Sequence, residues 1–553
     1  MLGSSPKVPE VAFGWFYRFM QPDDASRDLR RSLWTPVSFP LRQGSTTARE
    51  RPGMIDRRGM MLLTAAGLAA GPASARQNDD AALKALLDGF PKVASAADRL
   101  KALAAFDPTT LSSKAHLDYE AVRNAVAIEA ELVRRFPFGA GAAGPYVVTT
   151  RAGAWLKAAD AKPDAVAATV GRLDAETDQI RHDAAVGVVP PAFLLDRLEK
   201  GLAESAAKAA PPVAAALARQ AQVLSSLKPR AGKAAGIRFK DREAYYALAL
   251  KGQLGAALAP AEARRRLDET IRSLHARADV LLKAQGLTKG GVGERLRALA
   301  ADERFLYSDD DAGRDRAVAD MAPWLAKARA RLPLAFANLP GAVNAVSVRR
   351  MSPADEAAGR QGYRDLPSAD GSKPGAYYLD LKQIRRRPSW SLPAVVHHEV
   401  IPGHMLQIPL EEASGAHPYR TRVACPAAME GWAVYAEHLA WETGAFDGEA
   451  LAEIGGLYWI LFRAARARMD LGVHLEGWTP ERAMAFLADT QGDPVIFAPF
   501  TQEVERAAIA PGVAAGQGMY WLELSRRRRA WGGTLREFHG KVLDRGTLPL
   551  GMI

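Results

Sequence analysis

Apolar residues recur three and four positions apart through most of the chain between Asp79 and about Asn338. The stretch Ala261-Glu-Ala-Arg-Arg-Arg-Leu-Asp-Glu-Thr-Ile-Arg-Ser-Leu-His275 is typical, and its stripe predicts a helix with one buried face. Ala, Leu, Arg, Lys and Glu dominate this half, all of them strong helix formers. Breaks at Gly139 to Pro145, Pro211-Pro212 and Thr288 to Gly293 read as loops between helices rather than domain linkers. From Gly341 to Leu381 the period changes. Ala342-Val-Asn-Ala-Val-Ser-Val348 and Ala376-Tyr-Tyr-Leu-Asp-Leu381 alternate and predict strands. Helical spacing returns from Leu392. The pattern predicts a mainly α protein with a small β-sheet next to the active-site helix. A helical part over 76–340 is expected to pack as one unit with a catalytic part over 341–553.

The N-terminus follows another pattern. Arg57-Arg58, an apolar run and Ala73-Ser74-Ala75 form the charged, apolar and small-residue regions of an export signal. The apolar run is shorter than the roughly 20 residues of a membrane-spanning helix, and the arginine pair points to the twin-arginine route. An export signal normally begins near the initiator, so Met54 is the candidate start. Residues 1–53 then read as a non-native extension and 54–75 as a signal peptide. The mature chain is expected in a bacterial periplasm, with no stable membrane span.

Composition narrows the chemistry. With 553 residues, 48% of them hydrophobic and 24% charged, the chain can bury a large core. Lys and Arg number 73 against 62 Asp and Glu, but the excess is spread out. The runs Arg385–Arg387 and Arg526–Arg529 lack aromatic interleaving, so no nucleic-acid partner is expected. Cys425 is the single cysteine, which excludes an intramolecular disulfide and a cysteine-based zinc cluster. It reads as packing, not as a nucleophile. Any metal has to sit on histidines and carboxylates.

Six of the ten histidines fall between His397 and His474. Among them stands Ala394-Val-Val-His-His398-Glu399-Val-Ile-Pro402-Gly403-His404-Met-Leu-Gln407, which looks like a zincin helix with a defect. In H-E-x-x-H the two histidines lie about 40° apart round the helix and converge on one ion. Here the fourth position is Pro402, and His404 comes six residues after His398, about 240° round an ideal helix. The helix therefore has to deform if both rings are to meet. Pro402 lacks a backbone donor and Gly403 tolerates unusual dihedrals, so the pair supplies the break or bulge. A catalytic zinc takes three protein ligands and leaves one position open, and Glu430 is the best candidate for the third. It opens Glu430-Gly-Trp-Ala-Val-Tyr-Ala-Glu437, whose spacing puts both carboxylates on one helical face. One could ligate while the other orients a ligand imidazole. Glu399 is the candidate general base toward a water whose pKa zinc lowers to about 7.

H-E-x-x-P-G-H-x-x-Q followed about 25 residues later by E-G-W-x-x-Y-x-E resembles the bacterial domain-of-unknown-function 885 family, grouped with zincin-like metallopeptidases. Further blocks extend the resemblance over most of the mature chain. They are Pro374-Gly-Ala-Tyr-Tyr-Leu-Asp-Leu381, Arg463-Ala-Ala-Arg466-Ala-Arg-Met-Asp470-Leu-Gly-Val-His474, Gly477-Trp478-Thr479 and Glu505-Arg506. The resemblance implies His398, His404 and Glu430 as ligands of one Zn2+ ion and Glu399 as base. It implies Asp470 and His474 as active-site groups or supports of the ligands, and Arg506 as a binder of a substrate carboxylate or of the oxyanion. Two positions depart from the family: Met405 stands where a second histidine is frequent, and Gln517 replaces a tyrosine suited to the oxyanion. Tyr520, one helical turn on, is the candidate substitute.

The expected activity is zinc-dependent hydrolysis of short peptides. The substrate would pair with an edge strand at Tyr377 and Tyr378, running on to Leu381, and helical walls would exclude folded proteins. Two other readings stay open. One is an exported peptide- or metal-binding protein without turnover, motivated by Gln517; the other is a metallohydrolase of non-peptide amides or esters.

Overall fold

The stripe over residues 261–275 becomes the inner face of a helix at Pro260–Ala284, where Ala263, Leu267, Ile271, Leu274, Ala278 and Leu281 are buried. Pro260 occupies its first turn, where a missing N–H leaves no bond unmade. In a computed structural model the protein is described over residues 73–368, 372–495 and 497–553. The extension at 1–53 and the export signal up to residue 72 lie outside the described residues. Helix follows helix from Ala73–Gly89 to Asp311–Ala335. Val166–Ala185, Ala192–Ala206 and Pro211–Ser226 enclose a cluster of their own through Leu173, Leu195, Leu198, Leu217 and Leu224. A larger apolar cluster starts at Leu132, takes in Leu267, Met321, Tyr377, Trp432 and Leu461, and ends at Leu550. Residues on both sides of position 340 therefore share one core. The protein is mainly α with one small sheet. No described helix is long and apolar enough to cross a membrane.

The sheet has three strands, β1 (Ser347–Arg350), β2 (Tyr363–Asp365) and β3 (Ala376–Leu379), in the order β1-β3-β2. β1 runs parallel to β3, with Val348 opposite Tyr377, and β2 runs antiparallel, with Tyr363 opposite Tyr378. Tyr363 stacks on Tyr378 with ring centroids 4.6 Å apart. Two expectations are corrected here. β3 is the central strand, so both of its edges are already paired and no peptide can add to Tyr377 or Tyr378; Tyr377 is also fully buried. The alternation at 342–348 becomes a 3-10 turn at Gly341–Ala345, and β1 starts only at Ser347, because the four residues of β3 pair with no more than four.

The zincin-like segment follows. Val396–Val400 is a single π turn, closed by the Ile401 N–H donating to the Val396 carbonyl at 2.9 Å. The five-residue step leaves no α-helical continuation, and Ile401 is extended. A new helix then starts at His404 and runs to Ser414. Gly403 is the hinge between the two, and a Cβ there would overlap the carbonyl oxygen of His398. Only glycine allows the chain to double back this closely. Gly403→Ala should cost about 3 kcal/mol or more, read from the midpoint of urea unfolding; a variant as stable as the parent would show that the turn tolerates a side chain.

Candidate metal centre

The helix over Ala428–Glu442 is buried along almost its whole length, and each residue of its E-G-W-x-x-Y-x-E block has a separate task. Glu430 faces the two histidines. A Cβ at Gly431 would sit 2.7 Å from the Cβ of Tyr520, so glycine lets that ring lie against the helix. The Trp432 indole donates to the carbonyl of Pro402 at 3.0 Å, pinning the turn that carries the histidines. The Tyr435 hydroxyl donates to Nε2 of His539 at 2.7 Å, whose Nδ1 bonds the Ala335 carbonyl at 2.8 Å. Glu437 accepts from Nδ1 of His398 at 2.5 Å.

The rings of His398 and His404 stand perpendicular, 5.0 Å apart. Nε2 of His398 lies 3.7 Å from one oxygen of Glu430, and Nε2 of His404 lies 3.6 Å from the other. One ligand atom from each of the three residues falls within 4.8 Å of the others. Tetrahedral zinc at about 2.0–2.2 Å from each donor would hold neighbouring donors roughly 3.4 Å apart, close to these separations. Among the described residues, Nε2 of His404, one oxygen of Glu430 and one oxygen of Glu399 have no hydrogen-bond partner, although all three side chains are buried. An imidazole and a carboxylate with unpartnered atoms facing inward, beside the second imidazole of His398, are a donor set that fits zinc. The Glu399 carboxylate stands 3.6 Å from Nε2 of His398, beside the same point.

Burial and Arg463 disfavour the charged form of His398, but Glu430 and Glu437 outweigh them and hold its pKa above the ordinary value. His404 is pushed down to about 3 by burial, with Arg364 adding to the effect, so it is a neutral donor. Burial alone would raise Glu430; His398, His404 and Arg463 instead hold it well below the usual carboxylate range. Three of these neighbours have no role in the motif reading. Gln407 accepts from Nδ1 of His404 at 3.2 Å and donates to the Ala428 carbonyl at 3.4 Å, tying one ligand to the start of the acid-bearing helix. Arg364, from β2, pairs with Glu399. Arg463, on the buried Ala450–Leu475 helix, donates to Nε2 of His398 at 3.2 Å and lies 3.4 Å from Glu430. Its signal was legible as a charge in an apolar run, Ile460-Leu-Phe-Arg463.

Other residues singled out in the sequence bond elsewhere. His474 accepts the Ile237 N–H on Nδ1 at 3.1 Å and donates from Nε2 to the Ala507 carbonyl at 2.8 Å, and burial lowers its pKa to about 4. Both ring nitrogens serve the backbone, so the ring fastens two segments together and has no proton to exchange with a substrate. Asp470 accepts the N–H groups of Gly512 at 3.1 Å and Ala515 at 2.9 Å, capping the helix over Val513–Ala530. Tyr520, on that helix, is buried behind Gly431, and burial raises its hydroxyl well above the ordinary value. Arg506 pairs with Glu503 at 2.7 Å.

Burial pushes the Asp470 carboxyl up to about 7, against the pull of its backbone donors. A folded pKa above the ordinary 3.8 means that its stabilisation is complete below about pH 4 and is lost as pH rises through 7. Between about pH 5 and 8 the parent should lose stability relative to Asp470→Asn, on the order of a few kcal/mol. Urea unfolding across that range checks it, and parallel pH slopes would show that Asp470 does not titrate there.

A family profile described as a bacterial protein of unknown function (DUF885) matches residues 76–553. No curated protein matches the chain significantly. Among solved structures, a Colwellia psychrerythraea protein provisionally described as a lipoprotein is similar, with a TM-score of 0.63 and 22% identity over 86% of this chain and 90% of that one. A Shewanella oneidensis protein of unknown function, also provisionally described as a lipoprotein, gives a TM-score of 0.59 and 16% identity over 88% of this chain and 92% of its own. At such identities the likeness speaks for the fold. With the profile covering nearly all of the described chain, the protein belongs to the bacterial family of unknown function DUF885.

Proposed function

We propose that this protein is an exported, zinc-dependent hydrolase of short peptides. The observation that carries the reading is the meeting of His398, His404 and Glu430 beside a carboxylate, Glu399, that keeps one unpartnered oxygen. His398, His404 and Glu430 would hold the ion. Zinc in such a site supplies Lewis acidity toward a carbonyl and lowers the pKa of water. Glu399 takes a proton from the attacking water as the new C–O bond forms, then delivers it to the amide nitrogen as the C–N bond breaks. Arg364 holds that carboxylate in place. Glu437 and Gln407 fix the orientation and tautomer of the two imidazoles. Arg463, a fixed cation beside Glu430, is suited to stabilise negative charge developing on the substrate oxygen. Export is supported by the signal-like segment at 54–75 and by the description of both structural relatives as lipoproteins.

A second reading, peptide or metal binding without turnover, is favoured by Gln517 at the position of a family tyrosine. One set of proteins separates the two. The purified parent should carry one zinc per chain by mass spectrometry, and His404→Ala should lose it. Glu399→Gln should keep the zinc and lose roughly 100-fold or more in peptide turnover. A metal-free parent, or a Glu399→Gln variant as active as the parent, overturns the hydrolase; zinc and peptide binding with no cleavage across a peptide library establishes the binder.

A further inference from the structure

A cavity of about 170 Å³ lies apart from the candidate metal centre, and none of His398, Glu399, His404 or Glu430 lines it. Its walls come from the helices over Ser113–Arg135 and Arg242–Leu254 and from the segments 140–144 and 510–513. Val126, Leu132, Leu248 and Pro511 give it a mostly apolar surface. Apolar cavities of roughly 150 Å³ already take up a molecule the size of benzene, so there is room here for one aliphatic or aromatic side chain. Two polar groups of the lining are left without partners. Gln253 is only 7% exposed, and its side-chain oxygen accepts no hydrogen bond among the described residues. A buried amide oxygen in that state is destabilising until a donor reaches it. Arg422 is partly exposed, lies over the Tyr419 ring at 5.0 Å and pairs with no carboxylate among the described residues; its Nε is buried with no acceptor. The carboxylate in the lining, Glu129, already spends one oxygen on Arg99 at 2.8 Å. Arg99 also donates to the Tyr419 hydroxyl at 2.6 Å, so Tyr419 links the two charged residues of the lining.

We propose that this cavity binds a free α-amino acid with an apolar side chain. Arg422 takes the carboxylate, which a guanidinium recognises by shape as well as by charge. The ammonium donates to the side-chain oxygen of Gln253, with Glu129 as the negative charge in the same lining. The side chain lies against Val126, Leu132 and Leu248. A plain apolar acid answers Arg422 but leaves the Gln253 oxygen unbonded, and an apolar amine answers Gln253 alone. An α-amino acid carries both groups on one carbon, next to its side chain. The site needs neither metal nor turnover, so it stands or falls separately from the hydrolase reading.

Calorimetric titration of the full chain tests this with leucine, glycine, isocaproate (leucine without its ammonium) and leucinamide (leucine without its carboxylate). Leucine should bind roughly 10-fold or more tightly than either isocaproate or leucinamide. It should bind roughly 10- to 100-fold more tightly than glycine, which has no side chain to bury. Arg422→Gln, at a partly exposed position, should erase the preference for leucine over leucinamide. Ala249→Leu, which fills the cavity from its wall, should abolish leucine binding, with the midpoint of urea unfolding reporting whether the fold is kept. If that variant does not fold, Arg422→Gln decides alone. Isocaproate binding as tightly as leucine overturns the proposal and makes the cavity a site for apolar acids. Leucinamide binding as tightly, or no leucine binding by the parent, overturns it as well. So does leucine binding that persists in Arg422→Gln and disappears when the protein is stripped with a chelator, since that places the amino acid on a metal ion instead.

Discussion

The centre depends on one buried contact, the carboxylate of Glu437 accepting from Nδ1 of His398. It fixes which nitrogen of the ring carries the proton and leaves Nε2 to face Glu430. Glu430 and Glu437 stand two helical turns apart, about 10 Å along one axis. The imidazole spans the gap between them, so a single rigid helix both offers a donor and aims the donor opposite. The same helix reaches the other ring through Gln407 and holds the intervening turn through Trp432.

Charges gathered this deep are expensive unless each is answered. Glu399 is answered by Arg364, and Glu430 by Arg463 and the imidazoles. The surroundings are apolar: Val395, Val396, Val400, Ile401, Met405 and Leu406 are all fully buried. In such surroundings polar groups keep fixed positions because nothing else nearby can take their bonds.

How much of this was legible in the sequence varied with range. His398, His404 and Glu430 were legible because a helix turns short spacings into directions, and the proline-glycine pair in the wrong place announced the deformation. Glu437 followed from the same periodicity. Arg364 was not legible: it arrives from a three-residue strand 35 positions upstream, and nothing in its neighbours marks the fold that brings it in. The alternation at Ala376–Leu379 identified a strand but not its neighbours, since the same pattern suits a central strand buried on both sides. Asp470 and His474 share a spacing that serves equally for partners in a site and for two residues that each turn to the backbone; here the backbone took both.

The order of the sheet has one more result. β1 packs along the Asp311–Ala335 helix, and β3 is enclosed on both sides, so among the described residues β2 carries the edge with no strand beyond it. Its middle residue is Arg364. Any backbone that extends the sheet there lies beside the arginine that holds the Glu399 carboxylate, so docking at the rim and the aim of Glu399 are mechanically linked.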